Sequence, residues 1–437
     1  MTKSRIIRRK KMKKVFAILL VICMFAALAA CSGSDDDSGT ASAPPASTAP
    51  SADNSGGGDN NAAPPADNAN PNVASSPPSI EDLPVVDADF EIPYVDFGYK
   101  PTSDPFARDK YQFAHIVMMH APYTQLMVDM YALMGERLNY EINSYSSYRD
   151  FDLFLNLIET NAAQGVDAMV IEGDFTTQDG IFSVTDEYDI TFMPGLSPFI
   201  NIETGKYLRP SAVMDSYNQG WVCMDYMLDN YERYTGQQFD PAKIGFMTIE
   251  FGIISDFNTR RDGAVAAYTA RYGDYLATNY FNLDTSAEAN PMAAEPGYNY
   301  AANTVSAHPE FEGWLVYGTA EDFADRASRA LEDMGYGGTS LVTCTAAEML
   351  IERWKTGYEG CWVAGAETPA VQWSHAIISG LMQLLEGTAT PETLWPEYRQ
   401  PGQDYTVIFL PFTMIERDMY EDFEAAVARY TASIFVD

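Results

Sequence analysis

The chain is poor in the residues from which most enzyme centres are assembled. Its 437 residues include four histidines and five cysteines, and acidic side chains outnumber basic ones by 61 to 27, for a net charge of −34. Of the histidines, His115 lies inside an apolar run and His308 stands before a proline in an expected turn, so neither is placed for catalysis. A His-Glu zinc helix, a serine elbow, a phosphate-binding glycine loop and a dinucleotide glycine motif are all missing. Neighbouring acids such as Glu321 and Asp322 suit acid–base work, but such pairs ordinarily form the solvated first turn of a helix. The residue content therefore weighs against an enzyme, and it supplies neither a cofactor motif nor a metal site. The shortage of positive charge excludes nucleic acid and anionic membrane surfaces as partners. It fits the solvated acidic surface of an exported protein.

Cysteine is scarce where a disulfide framework would need it. Cys223, Cys344 and Cys361 have no metal-binding spacing. Cys344 ends one expected strand and Cys361 begins the next, which places them at opposite edges of a parallel sheet, out of reach of each other. All three read as small core residues.

The N-terminal segment sets the address of the protein. Eight Lys and Arg residues in positions 1–14 precede an apolar segment at 15–30, too short for a membrane span and suited to a secretory signal. Met12 is an alternative start that would keep Lys13 and Lys14 as the basic end. The segment closes on Leu28-Ala29-Ala30-Cys31, which resembles the lipobox of bacterial lipoproteins. That resemblance implies removal of residues 1–30, a diacylglycerol on the Cys31 thiol and an extracytoplasmic, membrane-anchored product. An ordinary secretory signal in which Cys31 is incidental is the alternative. Loss of the basic segment brings the net charge to about −42. Residues 31–85 are then a tether. From 32 to about 82 the chain is almost entirely Ser, Ala, Pro, Asp, Asn, Gly and Thr, which cannot offset the entropy of ordering. As a flexible coil of about 50 residues it reaches roughly 40 Å.

Beyond the tether, short apolar runs alternate with amphipathic ones. Met127, Met130, Tyr131, Met134 and Leu138 recur at helical spacing, as do Phe151, Phe154, Leu155, Ile158 and Ala162. The runs at 113–118, 140–142 and 168–171 are too brief for helices and lack polar alternation, as in strands covered on both faces. Right-handed βαβ units follow. The same alternation returns at 243–248, 278–283, 314–317, 340–343 and 361–364, with helices between, and Gly335, Gly357 and Gly387 stand where left-handed caps are wanted. About 350 residues of this kind make two lobes. A helix with Tyr217, Gly220, Trp221, Met224, Leu228 and Tyr231 on one face opens the second. Ligands of such sheets sit beyond the carboxyl ends of the strands, so the turns at 120–125, 144–148 and 172–174 are the places to look for function.

From residue 113 to about 411 the chain resembles the type I periplasmic binding proteins of the ribose-binding sort. Gln164-Gly165-Val166-Asp167-Ala168-Met169-Val170 matches that family's third strand, and Asp215 with Gly220 its D-x4-G. Arg260-Arg261-Asp262-Gly263 matches an R-x-x-G at a helix start, His308-Pro309 before 311–317 matches its "HPDIxAIF", and Gly387 closes its "LLxG" helix. The resemblance implies an α/β fold of two doubly wound parallel-sheet lobes joined by a three-segment hinge, with crossings near 211–215, 364–368 and 404–411. The N-terminal lobe would hold 105–212 plus 366–403, and the C-terminal lobe 213–365 plus 404–437. It further implies a small polar solute, a sugar or sugar derivative, trapped between the lobes of a monomer and handed to an ABC permease. The alternative is a sensor subunit that presents its closed form to a chemoreceptor or histidine kinase.

Sugar recognition needs aromatic faces and forked polar groups, because buried hydroxyls must be paired. Candidates are Tyr123 in the first turn, Tyr145 (with Tyr148) after the second strand, Asp174 after the third, Asp215 at the hinge, Arg260 with Arg261 as its fallback, and Glu321. For Asp174 a helix cap is the plain alternative. Trp373 could add a stacking face, although its helical spacing fits the core. The family's polar contacts are replaced at Ala320, Thr345 and Gly365, so a standard pentose or hexose pocket is not expected. Cys31→Ser is expected to shift the protein from the membrane pellet to the supernatant of fractionated cells; retention in the pellet would refute the lipid anchor.

Overall fold

A computed structural model of the chain describes Ile92 and residues 95–120, 122–148, 150–174, 176–288 and 294–434. The signal, Cys31 and the tether lie outside the described residues. Among those described, no helix is long and apolar enough to cross a membrane.

The first lobe is a four-stranded parallel sheet in the order β2-β1-β3-β4, built from β1 (Tyr111–Val117), β2 (Tyr140–Ser146), β3 (Ala168–Ile171) and β4 (Thr191–Pro194). Its crossover helices are α1 (Pro122–Leu138), α2 (Phe151–Gln164) and α3 (Gln178–Tyr188). The helical spacing read from the sequence buries Met127, Met130, Tyr131 and Met134 on α1, and Phe154, Ile158 and Ala162 on α2. Phe151 is the exception and stays exposed. Asp150 starts α2 by accepting a hydrogen bond from the Leu153 amide at 2.9 Å, and Gly165 ends it in the left-handed region. β2 runs longer than the apolar run 140–142, because at an edge it needs cover on one face only and can carry Glu141 and Asn143 outward. Phe97 joins this core as well, so the lobe takes in chain ahead of residue 105.

The segment 196–210 contains a short antiparallel hairpin, β5 (Ile200–Asn201) with β6 (Lys206–Tyr207). The chain then leaves the lobe through β7 (Ser211–Met214) and enters α4 (Ser216–Thr235), which Asp215 caps. The second lobe has six strands in the order β14-β12-β11-β10-β8-β9. These are β8 (Ile244–Glu250), β9 (Tyr280–Asp284), β10 (Gly313–Gly318), β11 (Leu341–Thr345), β12 (Trp362–Ala366) and β14 (Met414–Glu416), parallel except for the last. Between them lie α5 (Ser255–Tyr272), the short α6 (Leu276–Asn279), α7 (Ala294–Ala307), α8 (Glu321–Asp333) and α9 (Glu348–Lys355). Gly335, Gly357 and Gly387 adopt positive φ as their positions required. The three cysteines are buried and free.

After β12 the chain returns to the first lobe as α10 (Ala370–Glu386), where Trp373, Ile377, Ile378 and Leu381 join the core of α1. It comes back along β13 (Val407–Leu410), which pairs in parallel with β7 from Ser211 to Met214. These two strands and the link from β12 to α10 are the three connections between lobes. The final helix, α11 (Tyr420–Ser433), was expected to belong to the second lobe. It belongs to both: Phe423 enters the second lobe's core, while Tyr430 packs with Met130 and Val371 of the first.

The two short glycine motifs acquire a physical reason here. A Cβ at Gly220 on α4 would lie 1.8 Å from the carbonyl oxygen of Arg260 on α5, and one at Gly263 would lie 1.9 Å from that of Tyr217. The helices cross backbone to backbone, each through the other's glycine. The crossing also rotates α4 away from the predicted face: Tyr217 is exposed, and Cys223 and Met227 are buried in line with Gly220, Met224, Leu228 and Tyr231. Gly220→Ala is expected to force the helices apart at a cost of about 1–3 kcal/mol, measured by urea denaturation; a midpoint equal to wild type would show that the crossing is loose.

Candidate ligand cleft

In both sheets the strand order turns back beside the first strand, between β1 and β3 and between β8 and β10, and the carboxyl ends at these points face each other. A hollow of about 60 Å³ lies there. Its walls come from the first lobe (Met118, Met119, Tyr123, Glu172, Leu196), the hinge (Met214, Thr368) and the second lobe (Ile254, Phe257, Arg260, Ala320, Glu321, Asp322, Thr345, Ala346, Met349).

Arg260 is buried and held from two sides. Its guanidinium pairs with Asp256 at 2.5 Å and donates to the carbonyl oxygen of Thr319 at 2.8 Å, while Nε has no partner. Asp256 is itself held by Ser216 Oγ at 2.6 Å and, from the other lobe, by Ser197 Oγ at 3.2 Å. Tyr123 lies flat against Trp373, with centroids 6.2 Å apart and planes at 16°. Trp373 is therefore core, as its spacing suggested, and its stacking partner is a side chain of the cleft wall. Burial and the nearby Glu172 push the Tyr123 phenol well above its ordinary range, so it remains a hydrogen-bond donor. Glu172 meets His115 Nε2 at 2.9 Å inside the first lobe.

The remaining candidates are placed elsewhere. Asp174 is buried between the lobes and accepts from Ser255 Oγ at 2.7 Å and Ser255 N at 3.2 Å, a latch across the interface and not a wall of the hollow. Asp215 is a helix cap, bonded to the Asn218 amide and side chain at 3.2 and 2.5 Å. Tyr145 packs on the apolar cluster of Ile116 and Phe154, because β2 is an edge strand whose end lies away from the other lobe. Tyr148 is exposed. Arg261 points away from the hollow and pairs with Glu250 at 2.5 Å. Tyr123, Arg260 and Glu321 are thus brought together; Tyr145, Asp174 and Asp215 are not among them.

Gly365, which stands where the resemblance implies a polar contact, has no room for a side chain: a Cβ there would sit 2.2 Å from the carbonyl oxygen of Ala346. Ala346 itself has φ of 75°, an unusual strain for a residue with a Cβ, at the edge of the hollow.

Sequence reading missed two carboxyls, Glu348 and Glu367, that join Glu321 in this region. Glu321 accepts the Met349 amide at 2.6 Å, and burial followed by the charge of Glu348 raises its pKa well above the carboxylate range. Burial pushes Glu348 up to about 7. Glu367, 3% exposed, is pushed up to about 8 by burial and then by Glu348. Glu367 directly follows β12 at a hinge crossing, a position that could have flagged it.

No family model and no curated protein matches this chain. Solved structures do. The chain is similar to an ABC transporter periplasmic solute-binding protein from Actinobacillus succinogenes with bound D-allose, at 14% identity and TM-score 0.55, over 72% of this chain and 100% of that one. This is the type I periplasmic binding protein fold. A galactofuranose-binding protein shares the type I fold at 13% identity and TM-score 0.56, over 73% of this chain and 99% of the other. A solute-binding protein from Bacillus halodurans with bound myo-inositol does so at 14% and 0.55, over 73% and 98%.

The buried carboxyls give stability a pH dependence of definite sign. Glu367 is protonated more readily in the folded than in the unfolded chain, so its stabilising contribution is complete below about pH 4.5 and is lost as pH rises through about 8. Glu367→Gln is expected to flatten that loss and to raise the melting temperature at pH 8.5 but not at pH 5. Equal effects at both values would show that Glu367 is ionised throughout.

Proposed function

We propose that this chain is an extracytoplasmic solute-binding lipoprotein, anchored through Cys31, that captures a small polar solute between its lobes and delivers it to an ABC importer. The observation that carries the reading is the shared hollow. Two parallel sheets aim their carboxyl ends at it from opposite sides, and the lobes are joined by three chain segments that can bend. A sugar or sugar derivative is the class supported by the solved neighbours, two of which hold D-allose and myo-inositol while the third is a galactofuranose-binding protein.

A hollow of about 60 Å³ is far smaller than the several hundred Å³ of a ligand pocket. Capture therefore requires the lobes to part and close again. Opening breaks the cross-lobe bonds of Asp174 to Ser255 and of Ser197 to Asp256. A solute that brings its own partners to both lobes shifts the balance between open and closed forms by the difference in its affinity for the two. Arg260 is suited to that part, since it lines the hollow with its guanidinium held by Asp256 and Thr319 while its buried Nε has no partner. Tyr123 offers a rigid face, and Glu321 a carboxyl. No step of bond making is assigned to these residues: the role is to bind and to present a closed surface.

A thermal-shift screen over sugars, sugar acids, nucleosides and amino acids is expected to yield at least one solute that raises the melting temperature by about 5 °C or more at a hundredfold excess over Kd. Arg260→Met is expected to abolish that rise. If the rise persists in the variant, Arg260 is not in the site; if no solute shifts the wild type, the capture reading fails.

A further inference from the structure

Beside the central hollow, and separate from Arg260, lies a second cavity of about 610 Å³. It is a half-open pocket bounded by the first turns of α9 and α10, by Leu126 of α1 and by one face of α11. Its walls are mostly apolar, with Ile351, Val371, Phe423 and Val427 among them. The charged groups facing it are Glu348 and Glu352 from α9, Glu424 from α11 and Glu367 from the end of β12, and none of its lining residues is basic. At the rim, Lys355 spans Glu352 and Glu424, at 2.7 Å from each. Glu348 and Glu367 both line the cavity, and the charge of Glu348 adds to burial in disfavouring the ionised form of Glu367. Glu367 is the telling group, because its Oε2 is buried without a hydrogen-bond partner. A buried carboxyl left in this condition costs stability, and it is matched by a ligand that supplies the missing positive charge.

We propose that this cavity binds an organic cation, an ammonium group carried on an apolar body, with Glu367 and Glu348 as its counter-charges. The chemistry separates this from other ligands. A sugar would need a partner for each hydroxyl, which a mostly apolar wall does not provide. A bare metal ion would need several ligands converging at one point, and no cluster of three or more acidic, histidine or cysteine side chains among the described residues is arranged to hold one. An ammonium group needs one or two carboxylates, and its hydrocarbon part fits against Val371, Phe423 and Val427. Binding must ionise Glu367, and with it Glu348 where that is protonated, so the cation displaces protons to solvent. The site is distinct from Arg260 but adjoins the central hollow, since Met349 and Thr368 line both.

The test is calorimetric titration of the whole purified protein with phenethylammonium chloride and, in parallel, with neutral phenethyl alcohol at pH 8.5. The ammonium compound is expected to bind about tenfold or more tightly than the alcohol. At pH 6 its affinity should fall by about tenfold or more, with a heat that depends on the buffer because protons are released. Glu367→Gln should erase the preference for the cation while leaving the alcohol unaffected. Ala428→Phe, which fills the cavity from α11, should abolish binding of both and provides the control should Glu367→Gln fail to fold. Equal binding of the two compounds, binding of neither, or an undiminished preference in Glu367→Gln would each overturn the proposal.

Discussion

The geometry of the cleft depends on one contact, the backbone-to-backbone crossing of α4 and α5 at Gly220 and Gly263. α5 carries Ser255, Asp256 and Arg260 in its first turns, and α4 begins at the hinge with Ser216. Only because the helices approach without side chains between them does Ser216 reach Asp256 at 2.6 Å. Asp256 then fixes Arg260, whose other donor is spent on the carbonyl of Thr319 at the end of β10. A hinge residue, a cleft residue and a sheet are tied in one chain of bonds. Any side chain added at the crossing would displace all of them together.

Much of this could be read in advance, for a physical reason. Helical spacing and short apolar runs report burial, and burial is what the lobes are made of, so the sheets, the free cysteines and the left-handed glycine caps followed directly. Gly220 and Gly263 were visible as motif residues, yet their purpose was not, since sequence does not reveal which helices touch. The site was legible in part. Tyr123, Arg260 and Glu321 follow strand ends that point at the cleft, whereas Asp174 and Asp215 also follow strand ends but spend their oxygens on a serine of the other lobe and on a helix amide. Which carboxylates are already occupied is a matter of partners distant in sequence. The same limit hid Glu348 and Glu367, ordinary acids in a chain that has 61.

The surplus of negative charge has a structural counterpart. Several basic side chains are committed to specific acids: Arg260 to Asp256, Arg261 to Glu250, and Arg329 and Arg353 to Asp325. Desolvation of a charge is costly unless it is paired, and these pairings meet that cost for some acids. For Glu321, Glu348 and Glu367, burial instead shifts the balance toward the protonated form. The electrostatic character of the middle of the molecule therefore changes with the protonation of a few groups.

The last helix makes the two lobes something other than a pair of jaws on a hinge. Phe423 at one end of α11 is seated in the second lobe, and Tyr430, two turns later, rests on Met130 and Val371 of the first with its hydroxyl 3.2 Å from His375. If the lobes part as proposed for capture, this helix can remain with one partner only, so one of its ends must slip over the surface it leaves. Motion then proceeds against friction between side chains as well as against the bending of the crossings. In that motion α11 would act as a brake whose grip is set by Tyr430.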